Sequence, residues 1–397
     1  MPKNIYVKST ATFSIILQKE VSEMKNCEIA FYISSHGFGH LTRSLALIEN
    51  ILKTTHHSIY ICTGKAQVEF AKIYLSEFED RLAYGEYKVD VGIVNKKNSL
   101  EVDVEKTNTA VYNMLYSYVT ASTMEAEKLA KMNTKLIISD VSAFACLVSE
   151  KSGINVVEIG NFTWTDQYIS VGADKEIVAK FKEIYSKCNN FIAYDLSLDF
   201  EGAPEGSVFR SDYLISRPID KNRVEEIKEN YRNLYKTKIG KDCRDIMYLS
   251  LGKSAELPEV KLSNFSGVIF YTEGLEFDEA AYPEIVFVKL PNEIRDSQSF
   301  VAAADLVIAK AGWSTSAEGV VAHSKTPLIE RPGVDDDMNT INSLKSRGLA
   351  SSLTTDEVIN LDYKKLYERA EKDIDKSLLN TIQNDTAKVC EKLLSYL

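Results

Sequence analysis

The strongest constraint on the fold is a set of short apolar runs that show no polar alternation. "CEIAFYIS" (27–34), "HSIYICTG" (57–64), "TKLIISD" (134–140) and "INVVEIGN" (154–161) are of strand length and nearly continuous in Ile, Val, Leu and aromatic residues. A strand apolar on both faces must be covered on both faces, which is the condition of a parallel sheet clad by helices. Helical patterns fill the intervals. "LTRSLALIENIL" sets Leu41, Leu45, Ile48 and Leu52 on one face, "QVEFAKIYLSEF" follows, and a long helix is predicted over about 107–132. "AFACLVSEKSG" reads as a helix closed by Gly153. "NNFIAYD" and "YLISRP" are read as shorter strands.

The pattern then restarts with "DIMYLSLGKS", "SGVIFYTEG", "EIVFVKLP", "SFVAAADLVIAKAGWST", the helix "STSAEGVVAHS" and the strand "TPLIERPG". A chain of 397 residues exceeds one ordinary core. Two series predict an α/β protein of two doubly wound, Rossmann-like domains. The join falls at "SRPIDKNRVEE", within about 216–245, which divides the chain into 1–218 and 219–379. The segment from Tyr363 to Leu397 is charged and helical.

Bulk properties narrow the function. A net charge of −10 and a pI near 5.3 argue against a nucleic-acid partner and leave at most peripheral membrane contact. No run of about 18 apolar residues occurs. The apolar stretch Ala11–Leu17 is interrupted by Thr12 and Ser14 and does not read as a signal peptide. The six cysteines are scattered without a CxxC pair and read as buried thiols in a reducing compartment. A cytoplasmic enzyme is the expectation.

Ligands of open parallel sheets bind beyond the carboxyl ends of the strands, so strand-end residues carry the function. "SSHGFGHLTRS" leaves the first strand and opens a helix, and holds two of the chain's five histidines, His36 and His40. Gly37 and Gly39 let the backbone turn and approach a ligand. The helix start suits an anion. The dinucleotide fingerprint GxGxxG is absent, because Thr42 stands at the third glycine. His40 is a candidate general base, its ordinary pKa lying near neutrality; otherwise both histidines cap and pack. Asp140 ends the strand "LIISD" and either orients His40, acts as a base, or caps the following helix. In the second half Lys310 and Gly312 close a strand, while Ser314, Thr315 and Ser316 open a helix, making a second anion site, and Trp313 between them is a further candidate for substrate binding. Glu318, one turn in, can accept two ribose hydroxyls, but Thr315-x-x-Glu318 is also a capping box. Asp336, Asp337 and Asn339 in "DDDMN" can hold sugar hydroxyls or form a solvated loop.

Gly252, Lys253 and Ser254 resemble the tail of a P-loop, but Met247 stands where its first glycine is required. They still end a strand and can touch donor phosphates. Asp335 and Asp337 match a DxD by being part of a three-aspartate run, so no metal and no further cofactor is predicted.

These motifs resemble the GT-B glycosyltransferases. The C-terminal half is similar to the family of the peptidoglycan lipid-intermediate N-acetylglucosaminyltransferase and, more loosely, to UDP-glucuronosyl and plant UDP-glycosyltransferases. The shared pattern is Gly312, Glu318, Thr326-Pro327 and "DDDMNTIN" to Asn342, with "AGWSTSAE" close to the plant-type motif. The resemblance implies that Glu318 binds ribose, that Ser314 and Thr315 lie at the diphosphate, and that Asp336, Asp337 and Asn339 approach the donor sugar. The N-terminal half resembles the glycosyltransferase-like domain fused to plant arabinose kinases, through "FYISSHGFGHLTRS", "LIISDVSAFAC" and "GNFTWTDQY". In the peptidoglycan family this first loop is glycine-rich and ends in histidine; here Gly39 and His40 fall on it, while Ser35, His36 and Phe38 replace glycines. A C-terminal helix within 380–397 packing back on the first domain is implied by analogy.

The expectation is a glycosyltransferase that moves a sugar from a nucleotide-sugar, a UDP-sugar, to an unknown acceptor: a glycan, a lipid-linked compound or a small molecule. Inversion without metal is expected, with His40 and Asp140 as the catalytic pair. The alternatives are a non-catalytic sugar-nucleotide-binding protein, or an epimerase or hydrolase of sugar nucleotides on the same fold.

Overall fold

The computed structural model describes residues 25–97, 101–251, 257, 259–291 and 294–397. The first sheet has seven strands: β1 (Ile29–Ile33), β2 (Ile59–Thr63), β3 (Leu82–Glu86), β4 (Leu136–Asp140), β5 (Asn155–Gly160), β6 (Phe191–Ala193) and β7 (Val208–Arg210). They lie in the order β3-β2-β1-β4-β5-β6-β7, and every pairing is parallel. The second sheet is built from β8 (Asp245–Ser250), β10 (Gly267–Tyr271), β11 (Ile285–Lys289), β12 (Leu306–Lys310), β13 (Pro327–Ile329) and β14 (Ser351–Leu353). Its order is β11-β10-β8-β12-β13-β14, also parallel throughout. A two-stranded parallel pair, β9 (Lys261–Ser263) with β15 (Asn360–Asp362), lies apart.

The burial pattern explains the runs. All five residues of β1 are buried. Ile29, Phe31 and Ile33 point into one core and Ala30 and Tyr32 into another, as the two-residue period of a strand requires. The first of these cores continues through Met247, Leu249 and Ile308 of the second sheet, so one apolar body spans the junction of the two halves.

The helices that position the site are α1 (Gly39–Thr54), α2 (Val104–Lys131), α3 (Ala143–Ser152), α4 (Trp164–Ser170), α5 (Trp313–Val321), α6 (Asp335–Ser346) and α7 (Thr386–Leu394). Gly153 ends α3 with φ +71°, a conformation that favours glycine. The last helix, α7, lies against α1, with the Cys390 thiol donating to the Leu47 carbonyl.

Two expectations are corrected. "YLISRP" is not a strand; the sheet edge is β7, upstream of it. Leu214 and Ile215 are buried, but the backbone there pairs with the returning C-terminal segment. The Asp385 amide donates to the Leu214 carbonyl at 2.8 Å, and Asn384 Nδ2 to the Ser216 carbonyl at 2.7 Å. Nor are all six cysteines thiols: Cys146 on α3 and Cys188 are joined as a disulfide, their Cα atoms 5.8 Å apart. A separation of 42 residues hides such a pair from the sequence. Cys27, Cys62 and Cys390 are buried thiols and Cys243 is half-buried. Among the described residues, no helix is long and apolar enough to cross a membrane.

Candidate active site

In each sheet the strand order reverses once, between β1 and β4 and between β8 and β12, and a crevice opens at such a reversal. The register pairs Ile33 with Asp140, so the loop after β1 and the end of β4 emerge side by side. In that loop Gly37 has φ +73°, which lets the chain reverse into α1. Gly39 serves a close approach: a Cβ there would stand 3.3 Å from Ser314 Oγ. That hydroxyl donates across the cleft to the Gly39 carbonyl at 2.8 Å.

Asp140 is fully buried and surrounded by donors. Arg43 Nε donates to its Oδ2 at 2.7 Å, Ser44 Oγ donates to the same oxygen at 2.9 Å, and Arg43 Nη2 donates to Oδ1. His40 Nδ1 stands 2.8 Å from Oδ1 and 2.9 Å from Arg43 Nη2. A guanidinium has no lone pair to offer, so a proton on Nδ1 must go to the carboxylate. That tautomer satisfies Asp140 and leaves Nε2 as the ring's acceptor. Burial alone would raise the Asp140 carboxyl; Arg43 and His40 outweigh it and hold it at about 2. Burial lowers the His40 pKa, Arg43 lowers it further, and Asp140 opposes both. The pair is therefore an ionised carboxylate and a neutral imidazole.

The network continues across the cleft. Arg43 Nη1 donates to Asn161 Oδ1 at 2.6 Å, and Asn161 Nδ2 donates to Asp336 Oδ1 at 2.6 Å. Burial and then the neighbouring Asp337 push the Asp336 carboxyl well above the usual carboxylate range. Asp337 pairs with Arg331 at 3.0 Å. Val141, directly after Asp140, holds φ +54°, an outlier for a β-branched residue. Its carbonyl accepts from Tyr185 Oη at 2.8 Å, and Gly160 leaves room for its side chain.

A cavity of about 160 Å³ collects His36, Gly37, Gly39, His40, Lys310, Gly312, Trp313, Ser314, Thr315, Asp336 and Asp337. A second cavity of similar size shares Phe38, Gly39 and Thr315 with the first and contains Glu318. Helix α5 starts after Gly312 with no side-chain cap, so the Thr315–Glu318 capping box is not formed. Instead Glu318 Oε1 accepts from Arg217 Nε at 3.2 Å and Nη2 at 2.9 Å. Arg217 is held in turn by the Arg295 carbonyl at 2.6 Å and by Ser297 Oγ at 2.8 Å. Glu318 Oε2 has no partner among the described residues. Lys310 makes no hydrogen bond or ion pair among them either, and burial lowers its pKa.

One expected contact differs. Asn339 does not line the cavity: its amide donates to the Leu196 carbonyl at 2.8 Å, because α6 there abuts the first domain. Gly252, Lys253 and Ser254 lie outside the described residues. Sequence reasoning missed Arg43 and Arg217, while Asn161 and Gln167 fall in the segment "NFTWTDQY" that it placed at a strand end. Arg43 was findable, since an arginine one turn after His40 on a helix face read as apolar needs a buried partner.

No family model matches the chain. L-arabinokinase of Arabidopsis thaliana is 26% identical over 325 residues, 77% of this chain and 28% of that protein. UDP-N-acetylglucosamine--N-acetylmuramyl-(pentapeptide) pyrophosphoryl-undecaprenol N-acetylglucosamine transferase of Natranaerobius thermophilus is 26% identical over 193 residues, 48% of this chain and 49% of that one. The chain thus spans less than half the length of the curated relatives it matches. Among solved structures, UGT89C1 of Arabidopsis thaliana superposes with a TM-score of 0.59 at 10% identity, over 94% of this chain and 99% of that one. A UDP-glucosyltransferase from Polygonum tinctorium gives 0.56 at 11% identity, over 94% and 99%. The fold is GT-B, two doubly wound domains facing across a cleft, and the resemblances to the arabinose-kinase and peptidoglycan-transferase sequences hold.

Proposed function

We propose that the chain is a glycosyltransferase that moves a sugar from a UDP-sugar to an acceptor hydroxyl with inversion, without a metal or further cofactor, in the cytoplasm. The observation that carries this reading is the His40–Asp140 pair at 2.8 Å, facing the uncapped N-terminus of α5 across one cavity. The acceptor's proton goes to His40 Nε2, and the buried Asp140 carboxylate stabilises the imidazolium that forms. The acceptor oxygen attacks the anomeric carbon as the bond to the β-phosphate oxygen breaks, and the electron pair leaves on UDP. Lys310 and the first-turn amides of α5 take the developing charge, a role that otherwise calls for a metal. Glu318, with Oε1 held by Arg217, offers Oε2 to the ribose hydroxyls. Asp336 and Asp337 stand where the transferred sugar would lie. One curated relative, named for UDP-N-acetylglucosamine, and solved neighbours such as UGT89C1 complexed with UDP-L-rhamnose support the donor class.

Calorimetric titration of UDP, GDP and dTDP into wild type and Glu318→Ala tests the donor site. Selective UDP binding that the substitution abolishes is expected. Release of UDP in the presence of an acceptor, lost in His40→Ala, tests the chemistry; UDP binding without any release would leave a non-catalytic binder. The anomeric configuration of the product, read by NMR, and turnover in EDTA test inversion and metal independence.

A further inference from the structure

One wall of the cavity beside His40 carries polar groups that the transfer scheme does not use. Gln167, on α4, lines this cavity and is only 3% exposed. Its carboxamide makes no hydrogen bond among the described residues. The amide has no protein partner and opens only to the cavity, so a ligand or water in the cavity must satisfy it. Helix α4 is not free to turn it away. Thr163 and Asp166 form a reciprocal capping box at its start, and Trp164 Nε1 donates to Asp90 Oδ2 at 3.1 Å.

His36 stands on the same wall, edge-on to Trp164 with ring centroids 5.7 Å apart. Its ring makes no hydrogen bond among the described residues, and a Cβ on Gly92 would collide with it, so the ring is packed in place. Burial, and then the charge of Lys310, push its pKa down to about 3. His36 is therefore a neutral imidazole offering one donor and one acceptor. Phe162, Trp164 and Ile93 supply carbon surface between these groups.

The arginines of this cavity are matched: Arg43 to Asp140 and Arg331 to Asp337. Lys310, which has no such partner, lies against Gly312 at the donor end, where a Cβ on Gly312 would be 3.6 Å from Lys310 Cε. Its charge also reaches His36, but the transfer scheme commits it to the leaving diphosphate, so the wall around Gln167 holds no cation of its own for an anionic acceptor. A flat aromatic or a lipid chain would leave both the amide and the imidazole unpaired, at full desolvation cost.

We propose that this wall is the acceptor subsite, and that the acceptor is a neutral polyhydroxylated compound of monosaccharide size whose hydroxyls pair with Gln167 and His36. The proposal rests on the glycosyltransferase reading, so its test runs beside a UDP titration that judges that reading separately. UDP release is measured with UDP-glucose, UDP-galactose, UDP-xylose and UDP-N-acetylglucosamine, each against neutral monosaccharides and cyclitols, sugar phosphates, flavonols and polyprenyl pyrophosphates. Release with the neutral polyols is expected. Gln167→Leu should raise the acceptor KM about tenfold, the worth of one hydrogen bond, and leave the UDP Kd within about twofold. It should also raise Tm, since an apolar side chain replaces an unpaired buried amide. A preference for flavonol, phosphate or lipid acceptors overturns the proposal, as does the absence of any accepted polyol while UDP binds. An unchanged acceptor KM with a lowered Tm in Gln167→Leu overturns it too, because the amide would then be structural. Failure of UDP to bind wild type counts against the donor reading instead.

Discussion

Replacing Asp140 by Asn changes one atom and should alter both chemistry and stability. The carboxylate accepts from Arg43 through two nitrogens, from Ser44 and from His40. An amide supplies one acceptor oxygen, and its NH2 then faces donors. The His40 proton loses its acceptor on Nδ1, where Arg43 Nη2 at 2.9 Å can donate instead. The ring is expected to move its proton to Nε2, which removes the base from the cavity. A wrong histidine tautomer in a comparable triad costs roughly 10⁴ in kcat, so a loss of about 10²–10⁴ is expected here. The stability cost has two parts. The fall of the Asp140 pKa from 3.8 to about 2 is worth about 2 kcal/mol. Arg43, buried and then without its counter-ion, brings the total toward about 3–5 kcal/mol. Because the folded pKa is depressed, the wild-type contribution is complete above the unfolded value of 3.8 and is lost as pH falls through about 2. UDP release gives kcat/KM, and urea unfolding at pH 7 and pH 3 gives the stability difference. If Asp140→Asn keeps more than a tenth of kcat/KM, or unfolds at the same urea concentration as wild type, the account of the pair is wrong.

Three further outcomes follow from the same contacts. The base form of His40 must be neutral, and burial and Arg43 lower its pKa, so the acid limb of kcat/KM should lie below pH 6.5; a limb at or above 6.5 contradicts this. Arg217→Met leaves the Glu318 carboxylate buried and unpaired and should cost about 3–5 kcal/mol in urea unfolding. Adding Glu318→Gln should restore part of that loss, and strict additivity of the two would exclude a direct pair. Gly160→Ala would place a Cβ 2.6 Å from Val141 Cγ1 and 3.3 Å from Arg43 Nη2, so about 2 kcal/mol or more of stability should go. An alanine variant as stable and active as wild type would show that the Val141 backbone tolerates displacement.

The layering and the strand ends follow from the amino-acid sequence alone. Runs such as "FYI" and "LII" are apolar at every position, and only burial on two faces accommodates that, which dictates the parallel sheets. Because strand ends are where such sheets bind ligands, His36, His40, Asp140, Lys310 and Glu318 could be picked out before their neighbours were known. The edge strands β3 and β14 are not marked in the sequence: "LAYGE" is only partly buried and holds no apolar run, and the three residues of β14 carry little periodicity. Pairing across long separations was equally hidden. Asn161 meets Asp336 over 175 residues, Arg217 meets Glu318 over 101, and Cys146 meets Cys188 over 42. Thr315 and Glu318 matched a capping box in sequence, yet Gly312 is the N-cap and the carboxylate turned to an arginine from the interdomain crossing. A local motif states what a side chain can reach along its own helix. Which partner it takes depends on what the other domain brings within 3 Å, and only the tertiary structure decides that.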